Sequence, residues 1–278
     1  MPVRNSSIRA PSRRRAGLVA VALLIVAGCA KVPSDPEERA AFEAANDPLE
    51  PMNRYSFEVN YALDELLFKP LAGWYWLALP DFAHDRIQGV LDTLNAPAVL
   101  VNDLLQGEWA RARITASRFA INATFGIAGM FDVATGWGFP GHDEDFGQTL
   151  AVWGVPEGPY LVLPVLGPSS VRDAAAGAVD SYMDPFSYLE TTTGMSYVLG
   201  SRRFVGGLEK RWRNLDALNA LREGSLDYYA TLRSVYRQNR DYEIRNGREA
   251  EPATPGQAPG GSEAAPDGMP DLNATLQY

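Results

Sequence analysis

Asn46-Asp47-Pro48-Leu49-Glu50-Pro51-Met52-Asn53-Arg54 reads as the opening of a helix. Asn and Asp accept from the free amides of a first turn, and proline is tolerated there because its missing amide would have had no partner. The helix that follows runs through Asn53 to Leu67, and Pro70 starts another. Working outward, the pattern stays helical almost throughout. Asp81 to Leu94 and Pro97 to Gln106 read as two further helices. Glu108 to Phe131 reads as a longer one, in which Ala116, Ala120 and Ala123 share a face that admits a close neighbour while Gly126 and Gly129 weaken the end. Toward the C-terminus Leu208, Trp212, Leu215, Leu218 and Leu221 recur at threes and fours, Gly224 stops that helix, and Ser225 caps the next. There Tyr228, Leu232, Val235 and Tyr242 form a stripe, with Arg233, Arg237 and Arg240 toward water, and the two helices form an antiparallel pair. The expected fold class is all-α.

The ends of the chain differ from its body. Arg4, Arg9, Arg13, Arg14 and Arg15 precede the apolar run Ala16 to Ala27, and Gly28-Cys29 follows. A run this short is an export signal rather than a span, since crossing a bilayer takes about 20 apolar residues. Val26-Ala27-Gly28-Cys29 resembles the lipobox of bacterial lipoproteins. The resemblance implies removal of residues 1–28, acylation of Cys29 and, with Ala30 rather than aspartate following, sorting to the outer membrane. Residues 29–45 are then an acylated tether with helical character near Glu37 to Ala44, and residues 46–248 the helical domain. Residues 249–278, rich in Pro, Gly, Ala and acidic side chains and free of basic ones, are a disordered tail.

Composition narrows the chemistry. Cys29 is the only cysteine, so the mature domain has neither a disulfide nor a thiol nucleophile. The chain carries 25 basic and 34 acidic residues; loss of the five leader arginines leaves 20 against 34, a balance of −14. So acidic a chain is a poor ligand for nucleic acid and gains nothing from an anionic lipid surface, which leaves acyl or apolar contact with a membrane. Two histidines, His84 and His142, supply little for acid–base work. No Gly-x-Ser-x-Gly turn surrounds Ser169, Ser170 or Ser196, and no Walker or dinucleotide loop occurs. The run His142-Asp143-Glu144-Asp145 lacks the spaced oxygen ligands of a calcium loop. The expectation is no enzyme, no cofactor and no metal.

Two stretches remain. Leu71, Trp74, Tyr75, Trp76 and Leu79 lie on a short helix that is apolar on nearly every side, which suits either a buried core or the membrane interface. Between Phe146 and Asp173 the glycines and prolines alternate, shaping a bend or a lip. Phe146, Trp153 and Tyr160 within it are candidates to line a lipid channel, or else core aromatics locking a turn.

These stretches carry a resemblance to a known family. The opening nonapeptide from Asn46, Pro97 to Gly107, Arg118-Phe119 with Asn122, Gly126 to Asp132, Asp145-Phe146-Gly147-Gln148-Thr149-Leu150, Trp153-Gly154-Val155, Gly158 to Pro164, Gly167 to Asp173, Asp180 and Asp184-Pro185 resemble, in order, the signatures of the MlaA (VacJ) family of outer-membrane lipoproteins. That resemblance implies a ring-like, monotopic helical domain in the inner leaflet of the outer membrane, with a central amphipathic channel. It implies a non-enzymatic function: removing two-chained phospholipids that have strayed into the outer leaflet, excluding bulkier lipopolysaccharide, and passing them to a soluble, MlaC-like periplasmic carrier beside a trimeric porin. A lipid-anchored scaffold for a porin or envelope complex, moving no lipid itself, is the alternative.

Overall fold

A computed structural model describes residues 33–183 and 193–248. Cys29, the leader, the C-terminal tail and Asp184-Pro185 lie outside the described residues. Helix α1 (Pro36–Ala45) ends where Asn46 turns into the left-handed region at φ 47°, a conformation asparagine adopts more readily than most residues. Helix α2 (Glu50–Leu63) begins after Leu49, which makes no side-chain cap. Asp47 is therefore no helix cap: it is buried and accepts from Asn53 Nδ2 at 2.7 Å, from Arg233 Nη1 at 2.7 Å and from the Tyr229 hydroxyl.

A π-helical turn (Asp64–Phe68) joins α2 to α3 (Lys69–Ala78), so the chain stays helical from Glu50 to Ala78. The widened turn falls directly ahead of Pro70, whose ring would clash with the carbonyl of Leu66 in a regular α-helix. It also holds Asp64 inside, where both carboxylate oxygens accept from Arg211, each at 2.6 Å.

The two helices expected around Pro97 are one: α4 (Asp81–Gln106) spans 26 residues, with the proline inside it. It ends on Gly107 at φ 78°, where the amide of Glu108 donates to the Asp103 carbonyl at 2.9 Å. This is a left-handed stop that suits glycine. Helix α5 (Trp109–Thr124) folds back along α4. Its buried face is Ala112, Thr115 and Asn122, while Ala116 and Ala120 are exposed, so the alanine stripe is not the packing face. The helix stops short of Phe131 in a turn where Ile127, Ala128 and Gly129 all take positive φ. That turn rests on α4 backbone to backbone: a side chain on Gly89 would strike the Gly129 carbonyl, and one on Gly129 would strike Thr93.

A short α6 (Val133–Gly136) and α7 (Phe146–Val152) lead into the one departure from helix among the described residues, a hairpin of β1 (Tyr160–Leu163) and β2 (Gly167–Ser170). The strands pair antiparallel, Tyr160 opposite Ser170 and Leu163 opposite Gly167. The outer edge of β1 is satisfied by side chains rather than a third strand. Asn53 donates to the Tyr160 carbonyl at 2.9 Å and accepts from the Val162 amide at 2.9 Å. Asn60 repeats this one strand-step on, with Leu163 at 2.8 Å and Val165 at 2.7 Å. Spaced by seven, the two asparagines share one face of α2 and act as a substitute strand edge.

Helix α8 (Val171–Met183) follows the hairpin, with the Ser170 hydroxyl accepting from the Asp173 amide at 3.1 Å. Helices α9 (Thr193–Arg213), α10 (Leu215–Gly224) and α11 (Tyr228–Ile244) complete the described residues, so the leucine-rich repeat toward Gly224 is split in two at Asn214. The cap of α11 is Asp227, which accepts from the Ala230 amide at 3.1 Å, and not Ser225. Of the arginines expected toward water, Arg240 is 4% exposed and Arg233 is turned onto Asp47, whereas Tyr242 is half in solvent. Tyr160 and Val162 of β1, Leu218 of α10, and Tyr229, Leu232 and Tyr236 of α11 form the apolar core.

The distribution of polarity is inverted relative to an ordinary globule. Among the described residues, 13 apolar and 21 polar or charged side chains are buried, while 30 large hydrophobic ones are exposed. A water-soluble monomer scatters a few such residues singly. No described helix is long and apolar enough to cross a membrane.

Candidate functional site

A cavity of about 310 Å³ lies between α4 and α5. Helix α4 lends it Gln88, Asp92, Thr93, Ala96 and Val99, and α5 lends Thr115, Arg118, Phe119 and Asn122; both sets are spaced by threes and fours, as one face of a helix requires. The segment before α7 closes one side with Gly141, His142 and Asp143. The floor at Thr93, Val99, Thr115 and Asn122 is buried, whereas Asp92, Gly141 and Asp143 at the rim are open to solvent.

The charges of this cleft are not equivalent. Arg118 donates to Thr135 Oγ1 at 2.7 Å, to the Phe139 carbonyl and to Asp132 Oδ2 at 3.1 Å, so its guanidinium fastens α5 to the α6 segment. Asn122 reinforces it, donating to Asp132 Oδ1 at 3.0 Å and accepting from the Ala134 amide at 3.0 Å. Burial alone would raise the Asp132 pKa; hydrogen bonds from Thr135, Asn122 and Arg118 outweigh it and hold the group at about 2. Gly141 is bare because a side chain there would press on the Arg118 guanidinium, 3.2 Å from Nη2.

His142 Nε2 sits 3.1 Å from both oxygens of Asp103, which is fully buried and also accepts from Thr115 Oγ1 at 2.6 Å. Asp92 contrasts with these. It accepts from Gln88 at 2.6 Å, and burial, then the charge on Asp143, push it up to about 6. Asp92 is open to solvent at the rim yet flanked by the protein that lines the cleft.

Behind the cleft the run His142 to Asp145 is divided among separate networks. Glu144 accepts from Arg111 at 2.6 Å and from Gln106 at 2.8 Å. Asp145 caps α7 through the Gln148 amide at 2.9 Å and takes both terminal nitrogens of Arg240, at 2.6 and 2.7 Å. Arg240 also reaches Asp173, on which the Tyr236 hydroxyl converges at 2.8 Å. Gly147 is bare for the same reason as Gly141: a side chain there would overlap Arg240 and Asp173. No group of three or more potential metal ligands occurs among the described residues.

The sequence profile described as "MlaA lipoprotein" matches residues 45–243. The chain belongs to the MlaA lipoprotein family. The protein of Escherichia coli K12 called "Intermembrane phospholipid transport system lipoprotein MlaA" is 31% identical over 265 residues, 94% of this chain and 98% of that one. Its Haemophilus influenzae namesake is 31% identical over 210 residues, 74% and 82% of the two chains. A Rickettsia bellii protein called "Uncharacterized protein" is 34% identical over 200 residues, 72% of this chain and 77% of its own. A solved structure described as "Structural basis for maintenance of bacterial outer membrane lipid asymmetry" superposes with a TM-score of 0.63 at 34% identity, over 71% of this chain and 98% of that chain.

Within this family frame the three aromatics expected at a channel separate. Trp153 is 54% exposed, donates through Nε1 to the Leu105 carbonyl at 3.0 Å, and stands edge-on to the half-buried Phe146, 5.9 Å away. Tyr160 is 1% exposed, walled in by Tyr229 and Tyr236, and takes the place of a core aromatic. The interface candidates divide as well. Trp74 is 74% exposed and Leu71 is exposed, together with Leu77 of the same helix. Leu79 is half-buried, and Tyr75 and Trp76 turn inward onto His84, Trp76 stacking at 3.9 Å. His84 itself is enclosed against Glu209 at 3.0 Å.

The cleft residues Gln88, Asp92 and Thr115 drew no notice in the sequence. The available signal was a polar stripe at helical spacing on both arms of one hairpin.

Proposed function

We propose that the protein is an outer-membrane lipoprotein, anchored through acylated Cys29 in the inner leaflet, that passes stray phospholipids from the outer leaflet toward the periplasm and so preserves lipid asymmetry. The headgroup travels through the α4–α5 cleft while the acyl chains stay against the apolar exterior. No bond is made or broken; the domain is a conduit. The observation that carries this reading is the polar cleft set in a domain that exposes 30 large hydrophobic side chains among its described residues. At about 310 Å³ the cleft is at the small end of ligand cavities, which run from about 300 Å³ upward, and it suits a polar head rather than a two-chained lipid.

A monotopic seat in one leaflet needs an apolar rim without a span. Leu71, Trp74 and Leu77 on α3 supply part of it, and Phe119 at the cleft, with the exposed Trp153 and the Phe146 beside it, offers aromatic surface for an acyl chain to follow. The cleft then lies in the middle of a ring of helices, with an MlaC-like soluble carrier receiving lipid on the periplasmic side and a trimeric porin holding the ring in place. The names of the relatives, which speak of intermembrane transport, support a receiving partner.

The test is reconstitution in an asymmetric vesicle with labelled phospholipid in the leaflet opposite the protein and a soluble carrier outside. Label should move to the carrier with the wild-type chain and fail when Ala96→Trp plugs the cleft. A lipid-anchored scaffold would retain its porin and move no label in either case.

A further inference from the structure

We propose, building on the reading of the exposed apolar rim as lipid-facing, that Arg86 binds the phosphodiester of a membrane phospholipid outside the cleft, with the acyl chains lying along Phe82 and Phe131. The arginines of the interior each face a carboxylate: Arg211 faces Asp64, Arg233 faces Asp47, and Arg240 faces Asp145 and Asp173. Arg86 differs. Its guanidinium donates to two backbone carbonyls, Nε to Phe82 at 3.3 Å and Nη1 to Met130 at 2.9 Å, and it forms no ion pair among the described residues. Asp85, its neighbour in the chain, is taken by Arg213 at 3.4 Å.

The surroundings of this cation are apolar. It lies over the Phe131 ring, 4.4 Å from the centroid, and Phe82, Met130 and Phe131, which it touches, are all exposed, as is Ile127 of the same turn. Two carbonyls and a ring hold the guanidinium in place, and with one N–H given to each carbonyl, three of its five donors remain. In water a lone arginine needs no partner. Among side chains that face acyl chains, a long basic residue keeps its head at the headgroup level, where the phosphodiester is the anion at hand and its two unesterified oxygens match the guanidinium fork. The site is also continuous with features already placed. Arg86, Gly89 and Thr93 share one face of α4. Thr93 floors the cleft, Gly89 meets Gly129 of the turn after α5, and Arg86 lies beyond that contact, about 10 Å from Thr93 along the helix. Phe82 follows closely on the end of α3, whose Leu71, Trp74 and Leu77 form the rim.

The experiment sets two lipids with the same dioctanoyl chains against each other, phosphatidylglycerol and diacylglycerol, the second lacking the phosphate. The full lipidated chain in non-ionic micelles receives both at equal concentration, and retained lipid is read by native mass spectrometry. We expect about a tenfold preference for phosphatidylglycerol, the scale of one charge-assisted contact. Arg86→Gln should bring the ratio near one, and Arg86→Lys, which keeps the charge and loses the fork, should fall between. Ala96→Trp, which fills the cleft, should leave the preference intact because the site lies outside it. A second measurement needs no substitution: phenylglyoxal modification of Arg86, located by peptide mass spectrometry, should slow severalfold with phosphatidylglycerol and not with diacylglycerol. Equal retention of the two lipids by the wild-type chain, a preference that survives Arg86→Gln or is lost in Ala96→Trp, or modification that phosphatidylglycerol does not slow overturns the proposal. So does complete displacement of phosphatidylglycerol by glycerol 3-phosphate, which would make this a site for free phosphate rather than lipid. If phosphatidylglycerol protects Arg86 while no label reaches the carrier in the vesicle assay, the passage reading fails and the Arg86 site stands.

Discussion

Arg240 shows how much a single residue carries in this domain. Its guanidinium is buried between Asp145 and Asp173, and those carboxylates in turn cap α7 and hold the Tyr236 hydroxyl. Removing one partner of a buried ion pair leaves the other uncompensated, at a cost of about 3–5 kcal/mol. Arg240→Ala should therefore lower stability by about that amount in denaturant titrations followed by circular dichroism, and Gly147→Ala should act in the same direction by forcing a side chain into the same space. Acid affects the carboxylates with two signs. Asp173, opposed by burial but held down to about 2 by Arg240 and Arg172, contributes stability above about pH 4 that is lost as pH falls through 2, because the unfolded chain takes up the proton first. Asp92, pushed up to about 6, does the reverse: its ionisation costs the folded state something as pH rises from 4 through 6. Asp92→Asn should melt higher than wild type at pH 7.5 and with it at pH 4. None of this is visible in the sequence, where Arg240 occupies a helix position that faces water by the pattern of its apolar neighbours. Burial of a charge depends on which carboxylates other segments bring, and periodicity within one helix carries no information about them.

At the scale of elements, the helices were legible because their punctuation is chemical: Gly107 and Gly224 fall at helix ends, and the stripe of Leu232 and Val235 is buried as its spacing implies. The failures have physical causes. Pro97 suggests a boundary because it cannot donate to the carbonyl of Thr93, yet packing along α5 carries α4 through it. The hairpin of β1 and β2 was hidden because one of its partners is not a strand; Asn53 and Asn60 complete it from a helix. That arrangement gives a sharp expectation. Asn53→Ala leaves the Tyr160 carbonyl and the Val162 amide without their partners inside the protein, at about 1–3 kcal/mol for each buried group. The variant should lose more stability than Asn53→Gln, and amide exchange should rise first at Val162.

For the whole molecule the governing feature is the reversal of polar and apolar. Charged pairs fill the interior and large hydrophobics cover the outside, a pattern that fits lipid as solvent on part of the surface. Composition alone could not reveal it, because the same residues in the opposite arrangement would have the same mean hydropathy. Trp74→Glu together with Leu77→Glu should weaken flotation with lipid vesicles and leave melting unchanged, while Trp76→Ala should lower melting because that ring stacks on the enclosed His84. Cys29→Ala should shift the chain from the membrane to the soluble fraction or leave it unprocessed.

The last helix has one more bearing. Tyr229, Leu232 and Tyr236 are half of the six residues of the apolar core, and Arg233 and Arg240 complete the anchoring of Asp47, Asp145 and Asp173. A nascent chain that has not yet delivered residues 228–244 has nothing to close upon. Closure of the domain around its core therefore waits until residues 228–244 are available.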